Sequence, residues 1–232
     1  MNDKNDKKVI FHIRRFKPGV IDPPWFQEFS LSVRPAMTVL EGLEEIRLTQ
    51  DPSLMYRHCC HHASCGTCAC MINGMPALAC TTRIDDLEDS RVTLEPLENH
   101  RCISDLAVEV DEFFKDMHAG WDYLRDCEQA SADRTPQGVG RLLRFENCIE
   151  CGCCVAACPV VTEGRKFMGP AVLAALNNER RHYSGKEKAL LKLAAGPEGA
   201  DQCRRHLDCS RVCPTAVYPA RHIAELQKEI NK

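Results

Sequence analysis

The sequence predicts an α+β protein in which a strand-rich first part is followed by a helical second part. Near the start of the chain, Val9 to Arg15 and Phe29 to Val33 alternate apolar and polar residues, as half-buried strands do. Beyond residue 103 the apolar residues recur every three or four positions, which is the helical period. We therefore predict two domains, one over residues 1–103 and one over residues 104–232.

The elements of the first domain each have a local signal. Pro18-Gly19 and Pro23-Pro24 are expected in turns or loops between the first two strands. Thr38 is expected to be the N-cap of the one helix of this domain. Asn73-Gly74 has the composition of a two-residue hairpin turn, and Arg91 to Leu97 is predicted to be the last strand. Strands, one helix and a cysteine-rich loop before a hairpin are typical of a small β-grasp domain.

The second domain is predicted to be all-helical. Helical spacing of apolar residues begins at Ile103 and runs to Phe114, and it returns in Pro170 to Asn177 and Lys186 to Ala195. The tail from Pro219 to Lys232 carries one apolar stripe and is expected to close the domain. Gln129 to Gly140 is rich in loop-forming residues and is predicted to be a loop.

Composition and charge exclude several classes of protein. The formal charge of -3 and the pI near 6.3 give no reason to expect a nucleic-acid partner. The longest apolar run, Ala171 to Leu176, is far shorter than the ~20 residues of a membrane-spanning helix. Membrane attachment is therefore expected through a partner. Arg14-Arg15 is not followed by the apolar stretch of an export signal, so we expect the chain in the reducing cytoplasm, where cysteines are more often metal ligands.

Two cysteine runs in the second half have the spacing of cluster ligands. The first is C-x2-C-x2-C-x3-C-P from Cys148 to Pro159, the ligand run of bacterial-type ferredoxins, in which the last cysteine ligates the neighbouring cluster. The second run, Cys203 to Pro214, repeats it with His206 in place of the second cysteine. Exchange of the last cysteines assigns a [4Fe-4S] cluster to Cys148, Cys151, Cys154 and Cys213. It leaves three thiolates for the other cluster, Cys158, Cys203 and Cys209.

A set of three thiolates allows two interpretations of that second cluster. Three thiolates suit a cubane that lacks one iron, a [3Fe-4S] cluster, and this interpretation is favoured. The alternative is a complete cubane with His206 on the fourth iron, because imidazole also ligates iron.

A third group of cysteines lies in the first domain and has plant-type [2Fe-2S] spacing, C-x4-C-x2-C with a fourth cysteine further on. The four are Cys60, Cys65, Cys68 and Cys80. A Rieske site with His61 and His62 would need a Cys-x-x-His partner, but the residue at that offset from Cys80 is Arg83. We therefore expect His58, His61 and His62 to be solvated on a loop.

The remaining features suggest no catalysis on this chain. The five cysteines outside the three sets are expected to be small buried hydrophobes; they are Cys59, Cys70, Cys102, Cys127 and Cys153. Zinc also binds C-x2-C pairs, but it does not explain a complete ferredoxin run followed by an incomplete copy. Gly138 to Gly140 lacks the third glycine of a dinucleotide fingerprint, and there is no phosphate loop. The sequence thus predicts an electron conductor with no catalytic residue.

The ordered cysteine pattern resembles that of the iron-sulfur subunits of succinate dehydrogenases and fumarate reductases. The phrases MINGMPALAC, Met71 to Cys80, and DLEDSRVTLEPL, Asp86 to Leu97, are similar to that family as well. The resemblance spans most of the chain and includes eleven cysteines at matching spacings. It implies the same three ligand sets, and Cys153 resembles a non-ligand cysteine that family members often carry.

The family implies partners and a location. Its flavoprotein subunit interconverts succinate and fumarate at FAD, next to the [2Fe-2S] cluster. The [4Fe-4S] cluster follows, and the [3Fe-4S] cluster faces a membrane-anchor subunit that handles quinone. The chain would then be peripheral, on the cytoplasmic side of the inner membrane.

Two departures from the family pattern concern the region around the third cluster. The position of His206 is usually aliphatic. Members that bind ubiquinone beside this cluster have a Trp soon after the proline, where this chain has Val160 to Glu163, and a His where it has Arg204. We therefore predict a di-haem anchor of the menaquinone-linked kind. Rival subunits, of a related oxidase or of the heterodisulfide reductase type, typically lack the N-terminal plant-type domain or carry two complete ferredoxin runs.

Overall fold

The computed structural model of the chain describes residues 7–109, 147–182, 185 and 187–232. The described residues form two compact units. The first contains residues 7–109 together with Ile149–Ala156, and the second contains residues 147–148 and those from Ala157 onward. The chain therefore passes between the two units more than once. The cysteine run that begins at Cys148 contains residues of both units.

A mixed five-stranded sheet is the centre of the first unit, with the strand order β2-β1-β5-β3-β4. β1 pairs antiparallel with β2 and parallel with β5, while β3 pairs antiparallel with β4 and β5. The strands are β1 Lys7–Lys17, β2 Ile21–Val33, β3 Ala69–Ile72, β4 Met75–Leu78 and β5 Arg91–Glu95. The predicted alternation is confirmed, since the apolar positions of β1 and of the second half of β2 are buried. These side chains form the core face of the sheet.

Helix α1, Val39–Thr49, begins where the sequence predicted it. Thr38 and Glu41 form a capping box, in which the amide of Glu41 donates to the Thr38 hydroxyl (3.2 Å) and the amide of Thr38 donates to the Glu41 carboxylate (2.8 Å). Gly42 lies so close to the ring of Phe11 in β1 that a Cβ atom would clash with it. The missing side chain at Gly42 allows the helix to pack tightly against the strand.

Pro23 and Pro24 lie within β2, which corrects the expectation that they are in a loop. β2 lies at the edge of the sheet and has a hydrogen-bonded neighbour on one side only. A proline, which has no backbone N–H group, is tolerated at such an edge. The register between the two strands also shifts in this region, between Arg15 and Lys17 of β1. An edge position and an irregular register together explain why the strand tolerates two prolines.

The prediction of a helix from Ile103 is wrong for the part of it that the structure describes. Here the chain forms a short hairpin of β6, Cys102–Ser104, and β7, Ala107–Val108. Its turn residue Asp105 has φ 45°, and its carboxylate accepts hydrogen bonds from the amides of Phe16 and Met55, both at 2.9 Å. These long-range bonds outweigh a local helical pattern. The remainder of that predicted helix and the predicted loop of residues 129–140 lie outside the described residues.

The second unit is helical in its described part. Its helices are α3 Pro159–Thr162, α4 Pro170–His182, α5 Glu187–Ala194, α6 Asp208–Arg211 and α7 Pro219–Ile230, while α2, Cys153–Ala156, belongs to the first unit. Its main apolar core joins α4, α5 and α7 and includes Leu173, Leu176, Leu190, Ile223 and Leu226. Helical segments were predicted at all three places. Within the described residues, the structure has no helix of the length and apolarity needed to cross a membrane.

A buried ionic network joins distant parts of the first unit. Arg15 is 2% exposed, and its guanidinium lies 2.6 Å from a carboxylate oxygen of Asp51 and 3.2 Å from one of Asp105. The side chain of Asp105 is also 2% exposed and accepts the two amide hydrogen bonds from Phe16 and Met55. Because loss of one partner would leave a buried charge uncompensated, the network holds β1, the loop after α1 and the β6–β7 turn together.

We expect Asp105→Ala to lower the free energy of unfolding by about 3–5 kcal/mol, the usual cost of removing one member of a buried ion pair. The urea midpoint of the far-UV circular dichroism signal measures this loss. Asp89→Ala removes an exposed carboxylate and should change stability by no more than ~0.5 kcal/mol. Equal effects of the two substitutions would contradict a structural role for the network.

The network also predicts how stability depends on pH. Hydrogen bonds from Ser53, followed by the contact with Arg15, hold the pKa of Asp51 below its ordinary value. A carboxylate with a depressed folded-state pKa stabilises the protein above its unfolded-state pKa, and this contribution disappears as the pH falls through the folded-state value. Asp51→Asn should therefore be less stable than wild type near neutral pH, and the difference should shrink as the pH falls through the lowered pKa of Asp51. Urea unfolding of both proteins from neutral to acidic pH measures this difference in stability. A difference that stays constant with pH would contradict the prediction.

Candidate metal centres

The loop with Cys60, Cys65 and Cys68 lies between α1 and β3 and is fixed at both ends. Leu54 and Tyr56 are buried just before it. The hairpin of β3 and β4 then brings the fourth cysteine, Cys80, back toward Cys68, because the amide of Ala79 donates to the carbonyl of Cys68 (3.2 Å). The four cysteines that the sequence assigned to a [2Fe-2S] cluster are thus placed at one end of the sheet.

Backbone N–H groups of this loop point at the sulfur of Cys60. The amides of His62, Ser64 and Cys65 lie 3.5, 3.2 and 3.3 Å from it. These hydrogen bonds, that of His62 first, lower the pKa of Cys60 to about 6. Since the thiolate is the form that binds metal, the loop prepares Cys60 as a ligand.

At Cys68, the last cysteine of the loop, the pKa is shifted in the opposite direction. Burial raises the pKa of Cys68 to about 12, and the neighbouring sulfurs of Cys80 and Cys65 add to that shift. Thiolates at this position need a positive charge that the surrounding residues do not provide. An iron-sulfur cluster provides that charge through its iron ions, so the donor set fits the group that the spacing predicts.

At Gly66 the loop packs closely against another segment of the chain. Its φ is +69°, and a Cβ atom there would lie 2.5 Å from the carbonyl oxygen of Ile149 and 2.9 Å from the Cβ atom of Cys151. The segment Ile149–Ala156 belongs to the same unit and packs directly against the loop. Both the backbone conformation and the space therefore require glycine.

Within that segment, Cys153 is fully buried and interacts with Cys151. A side-chain hydrogen bond between the two lowers the pKa of Cys151 to about 7 and raises that of Cys153. The direction of these shifts favours ionisation of Cys151 before Cys153. This is the arrangement expected of a ligand beside a non-ligand cysteine.

The sulfurs of the predicted three-thiolate set come together in the second unit. Burial, followed by the thiolate charges of Cys158 and Cys203, raises the pKa of Cys209 to about 12. Burial raises the pKa of Cys158 too, and Cys203 contributes to that shift. Cys158 is the N-cap residue of α3, and Cys209 lies in α6. Burial and neighbouring thiolate charge, which raise the pKa of Cys158 and of Cys209, again suit a cluster that carries positive metal charge.

Cys148 and Cys213, two members of the predicted [4Fe-4S] set, also belong to the second unit. Both pack against the same small apolar group of Ala174, Ala175 and Val217. The amide of Val217 points at the sulfur of Cys213 (3.3 Å). The other two members, Cys151 and Cys154, belong to the first unit.

Each ligand loop contains non-glycine residues in the left-handed conformation. They are His61 and Ala63 between Cys60 and Cys65, Glu150 between Cys148 and Cys151, and Arg205 and Leu207 between Cys203 and Cys209. Such residues cost of order 1–3 kcal/mol each and are found where surrounding structure or a ligand requires them. They produce tight reversals of the chain between successive cysteines.

Outside the cysteine sets, the described part of the chain brings together one further group of ligand-type side chains. The carboxylate of Glu44 and the imidazoles of His58 and His61 place three ligand atoms within 4.8 Å of one another.

The three histidines are exposed on the loop as expected, and they also make specific contacts there. His58 and His61 face Glu44 of α1, while Nδ1 of His62 contacts the carbonyl oxygen of Cys60. No local pattern connects residue 44 with residues 58 and 61, so the sequence did not reveal this group. His206, the alternative ligand of the third cluster, has an exposed side chain.

Of the five cysteines outside the ligand sets, Cys70 and Cys153 are buried as expected. Cys59 is exposed, so the expectation of burial is wrong there. Cys102 is half-buried, and its thiol donates to the carbonyl of Asp105 (3.4 Å). Cys127 lies outside the described residues.

Comparisons with known proteins agree with the motifs. Residues 10–115 match the family model of the 2Fe-2S iron-sulfur cluster binding domain, and residues 144–217 match that of the 4Fe-4S dicluster domain. The fumarate reductase iron-sulfur subunit of Wolinella succinogenes is 32% identical, over 97% of this chain and 98% of the relative. The succinate dehydrogenase iron-sulfur subunit of Coxiella burnetii is 32% identical, over 96% and 97%.

Among solved structures, a chain of the Mycobacterium smegmatis Sdh1 complex in the apo form has a similar fold. Its TM-score is 0.83 with 22% sequence identity, and the match covers 97% of this chain and 96% of that one. The near-complete coverage of curated relatives at 32% identity, joined to the placement of the cysteines, leads to one conclusion. The chain belongs to the family of iron-sulfur subunits of fumarate reductases and succinate dehydrogenases.

Proposed function

We propose that this chain carries single electrons between the FAD of a flavoprotein subunit and a quinone-reactive membrane-anchor subunit, in a complex that interconverts succinate and fumarate. The observation that carries the proposal is the gathering of cysteine sulfurs at the end of the sheet and again between α3 and α6, in a chain of this family. Iron-sulfur clusters supply one-electron chemistry, while the protein supplies ligands, burial and hydrogen bonds to sulfur. The substrate-converting site would lie on the flavoprotein.

Three ligand sets follow from this proposal. The [2Fe-2S] cluster is assigned to Cys60, Cys65, Cys68 and Cys80. The [4Fe-4S] cluster is assigned to Cys148, Cys151, Cys154 and Cys213. The [3Fe-4S] cluster is assigned to Cys158, Cys203 and Cys209. The first cluster belongs to a β-grasp domain proposed for residues 1–103, and the other two belong to an all-helical domain proposed for residues 104–232.

The three-iron assignment is supported by the environment of His206. Its side chain is exposed, whereas Cys158 and Cys209 are buried at 9% and 7% exposure. Leu207, directly after it, is held in the left-handed conformation with φ 70°. An exposed imidazole on this loop is poorly placed to be the fourth ligand of a buried cluster.

The surface next to the third set supports the membrane-anchor partner. Leu207 and Tyr218 are large apolar residues with 48% and 41% exposure, and they line an open cavity of about 630 Å³. Arg211 and Arg221 line the same cavity. An apolar surface edged by arginine suits a partner embedded in a membrane with anionic headgroups. We therefore assign this face to the anchor, on the cytoplasmic side of the inner membrane.

An ion pair supports our prediction that no quinone binds beside the third cluster. Arg204 and Glu163 stand in the two regions where ubiquinone-binding members carry His and Trp, and here they pair with each other at 3.2 Å. Both side chains are about half exposed. A charged pair offers no apolar wall for a quinone ring, which supports a di-haem anchor with quinone bound further away.

We expect Cys209→Ala, in the purified complex, to remove the three-iron EPR signal of the oxidised protein. Electron transfer from succinate to quinone should be lost with it, while reduction of a soluble dye by the flavoprotein continues. Cys59→Ala replaces an exposed thiol beside a ligand and should change neither activity nor spectrum. His206→Leu should also retain the signal; its loss there would favour histidine ligation. The same complex is expected to contain haem b.

We expect Cys213→Ala to remove the [4Fe-4S] EPR signal of the reduced complex, although residues 148–154 supply the other ligands. Each cluster of this kind needs its full set of thiolates. Cys153→Ala is the matched control, because it removes a buried cysteine of the same run that is not assigned to a cluster. A [4Fe-4S] signal that persists in Cys213→Ala would contradict the exchange of ligands between the two runs.

A further inference from the structure

Glu44, His58 and His61 form a group of ligand-type side chains beside the cysteine loop of the first unit. Nδ1 of His58 lies 3.4 Å from Nε2 of His61. Oε1 of Glu44 lies 3.7 Å from the first atom and 3.5 Å from the second. We propose that these three side chains bind one divalent transition-metal ion, with zinc as the ion that best suits two imidazoles and a carboxylate.

The distances within the group match those around one tetrahedral metal ion. Zinc lies 2.0–2.2 Å from nitrogen and oxygen ligands, so two ligand atoms of a tetrahedral site are about 3.3–3.5 Å apart. Hydrogen bonds between nitrogen and oxygen are shorter, typically about 2.7–3.2 Å. All three measured separations exceed the hydrogen-bond range and lie at or near the tetrahedral edge. The group is therefore spaced for a shared cation.

Buried neighbours hold two of the three ligands in place. Glu44 projects from α1, whose opposite face is anchored in the core through Leu43 and Ile46. The ring of His58 lies against Tyr56, with centroids 5.2 Å apart, and Tyr56 is 9% exposed. The guanidinium of Arg47, also on α1, lies over the Tyr56 ring at 5.8 Å. The helix and the loop are thus fixed relative to each other where the ligands meet.

The third ligand depends on a costly backbone conformation. His61 has φ 62°, and left-handed residues of this kind are associated with functional sites. Its ring is perpendicular to that of His58, with an interplanar angle of 88°, so the two histidines are not stacked. The turn at His61 directs its ring toward α1, and Cys60 lies between the two histidines in the chain.

The group is accessible, and its charge suits a divalent ion. The side chains of Glu44, His58 and His61 are 31%, 33% and 44% exposed. Three protein ligands leave the fourth tetrahedral position to water, as zinc sites with two histidines and one glutamate do. One carboxylate partly neutralises the ion, so a net positive charge would remain beside the loop of Cys60.

This charge has a consequence that rests on the proposed [2Fe-2S] assignment. A cation near a cluster stabilises its reduced, more negative form, and bound cations are often the largest local charges in a site. Zinc binding should therefore raise the reduction potential of the [2Fe-2S] cluster. The site would then adjust the first step of electron entry in response to metal supply.

The test is Zn²⁺ binding to the purified complex at pH 7.5, followed by desalting and X-ray absorption at the zinc edge. We expect one zinc ion per chain, with nitrogen and oxygen neighbours at about 2.0–2.1 Å, including imidazole. Zinc that occupies cysteine sites would instead show sulfur at about 2.3 Å. A sulfur shell, or no retained zinc, would overturn the proposal, and this measurement needs no variant.

Variants then identify the ligands. Glu44→Gln and His61→Ala should each weaken zinc binding at least tenfold, because loss of even an outer-shell partner costs about 10–100-fold. Glu45→Gln changes the neighbouring carboxylate of the same helix and should bind zinc as wild type does. The circular dichroism of the [2Fe-2S] cluster checks that each variant is folded. Wild-type affinity in both folded ligand variants would overturn the assignment.

Redox titration tests the electrostatic consequence separately. In wild type and Glu45→Gln, zinc should raise the midpoint potential of the [2Fe-2S] signal, while in Glu44→Gln the same shift should require at least tenfold more zinc. Zinc that binds without any change of potential would overturn the coupling and leave the metal site in place. Absence of a [2Fe-2S] signal from the reduced complex would instead contradict the proposed function, independently of the zinc-edge result.

Discussion

The convergence of several thiolates on one small volume is the constraint that shapes both units. Thiolates repel one another, and burial adds to the cost of their charge. The pKa of Cys68 and that of Cys209 are each raised to about 12, mainly by burial and further by neighbouring sulfurs. The protein offsets only part of this cost, through backbone amides such as those that lower the pKa of Cys60 to about 6. A buried thiol with a pKa near 12 is protonated at neutral pH, so it becomes a thiolate only where a bound metal ion supplies positive charge, and these loops therefore suit clusters.

The same constraint explains why the ligand loops are irregular and the elements around them are regular. Sulfurs that converge require sharp reversals, and His61, Glu150 and Leu207 provide them in left-handed conformations. These conformations persist because rigid structure flanks each loop. In the first unit, the amides of Val39 and Leu40 at the start of α1 donate to the carbonyls of Thr82 and Ala79, on either side of Cys80. These two hydrogen bonds thus pair two N–H groups at the start of α1 that have no partner within the helix, and they hold the segment around Cys80 in place.

Features that depend on local chemistry could be predicted from the sequence. The capping box at Thr38 and the Asn73-Gly74 turn, with φ 48° and 78°, follow from residues within four positions of each other. Features that depend on distant partners could not. Asp105 is a hairpin turn because Phe16 and Met55 donate to it, and neither residue is near it in the chain. A helical pattern of apolar residues could not reveal those bonds.

The same distinction between local patterns and distant partners applies to the candidate sites. Cysteine spacing is a local pattern, so candidate ligand sets could be proposed by counting, with the resemblance to a family as independent support. The group of Glu44, His58 and His61 combines a helix with a loop, and its members come together only in the folded first unit. Two histidines three residues apart are common on loops, and nothing in the chain before them marks Glu44 as their partner. Such a site becomes visible only when interatomic distances can be compared with those of a coordination sphere.

The place where the chain passes from one unit to the other bears on the exchange of ligands that we propose between the two cysteine runs. Cys151 and Cys154 lie in the segment Ile149–Ala156 of the first unit, while Cys158 follows the passage and caps α3 in the second unit. Cys158 therefore changes surroundings within four residues of Cys154, and its sulfur joins Cys203 and Cys209. A C-x3-C-P ending suits this passage, because proline at the first position of α3 starts a new helix directly after the cysteine. The spacing of the run thus fits the start of a new helix directly after its last cysteine.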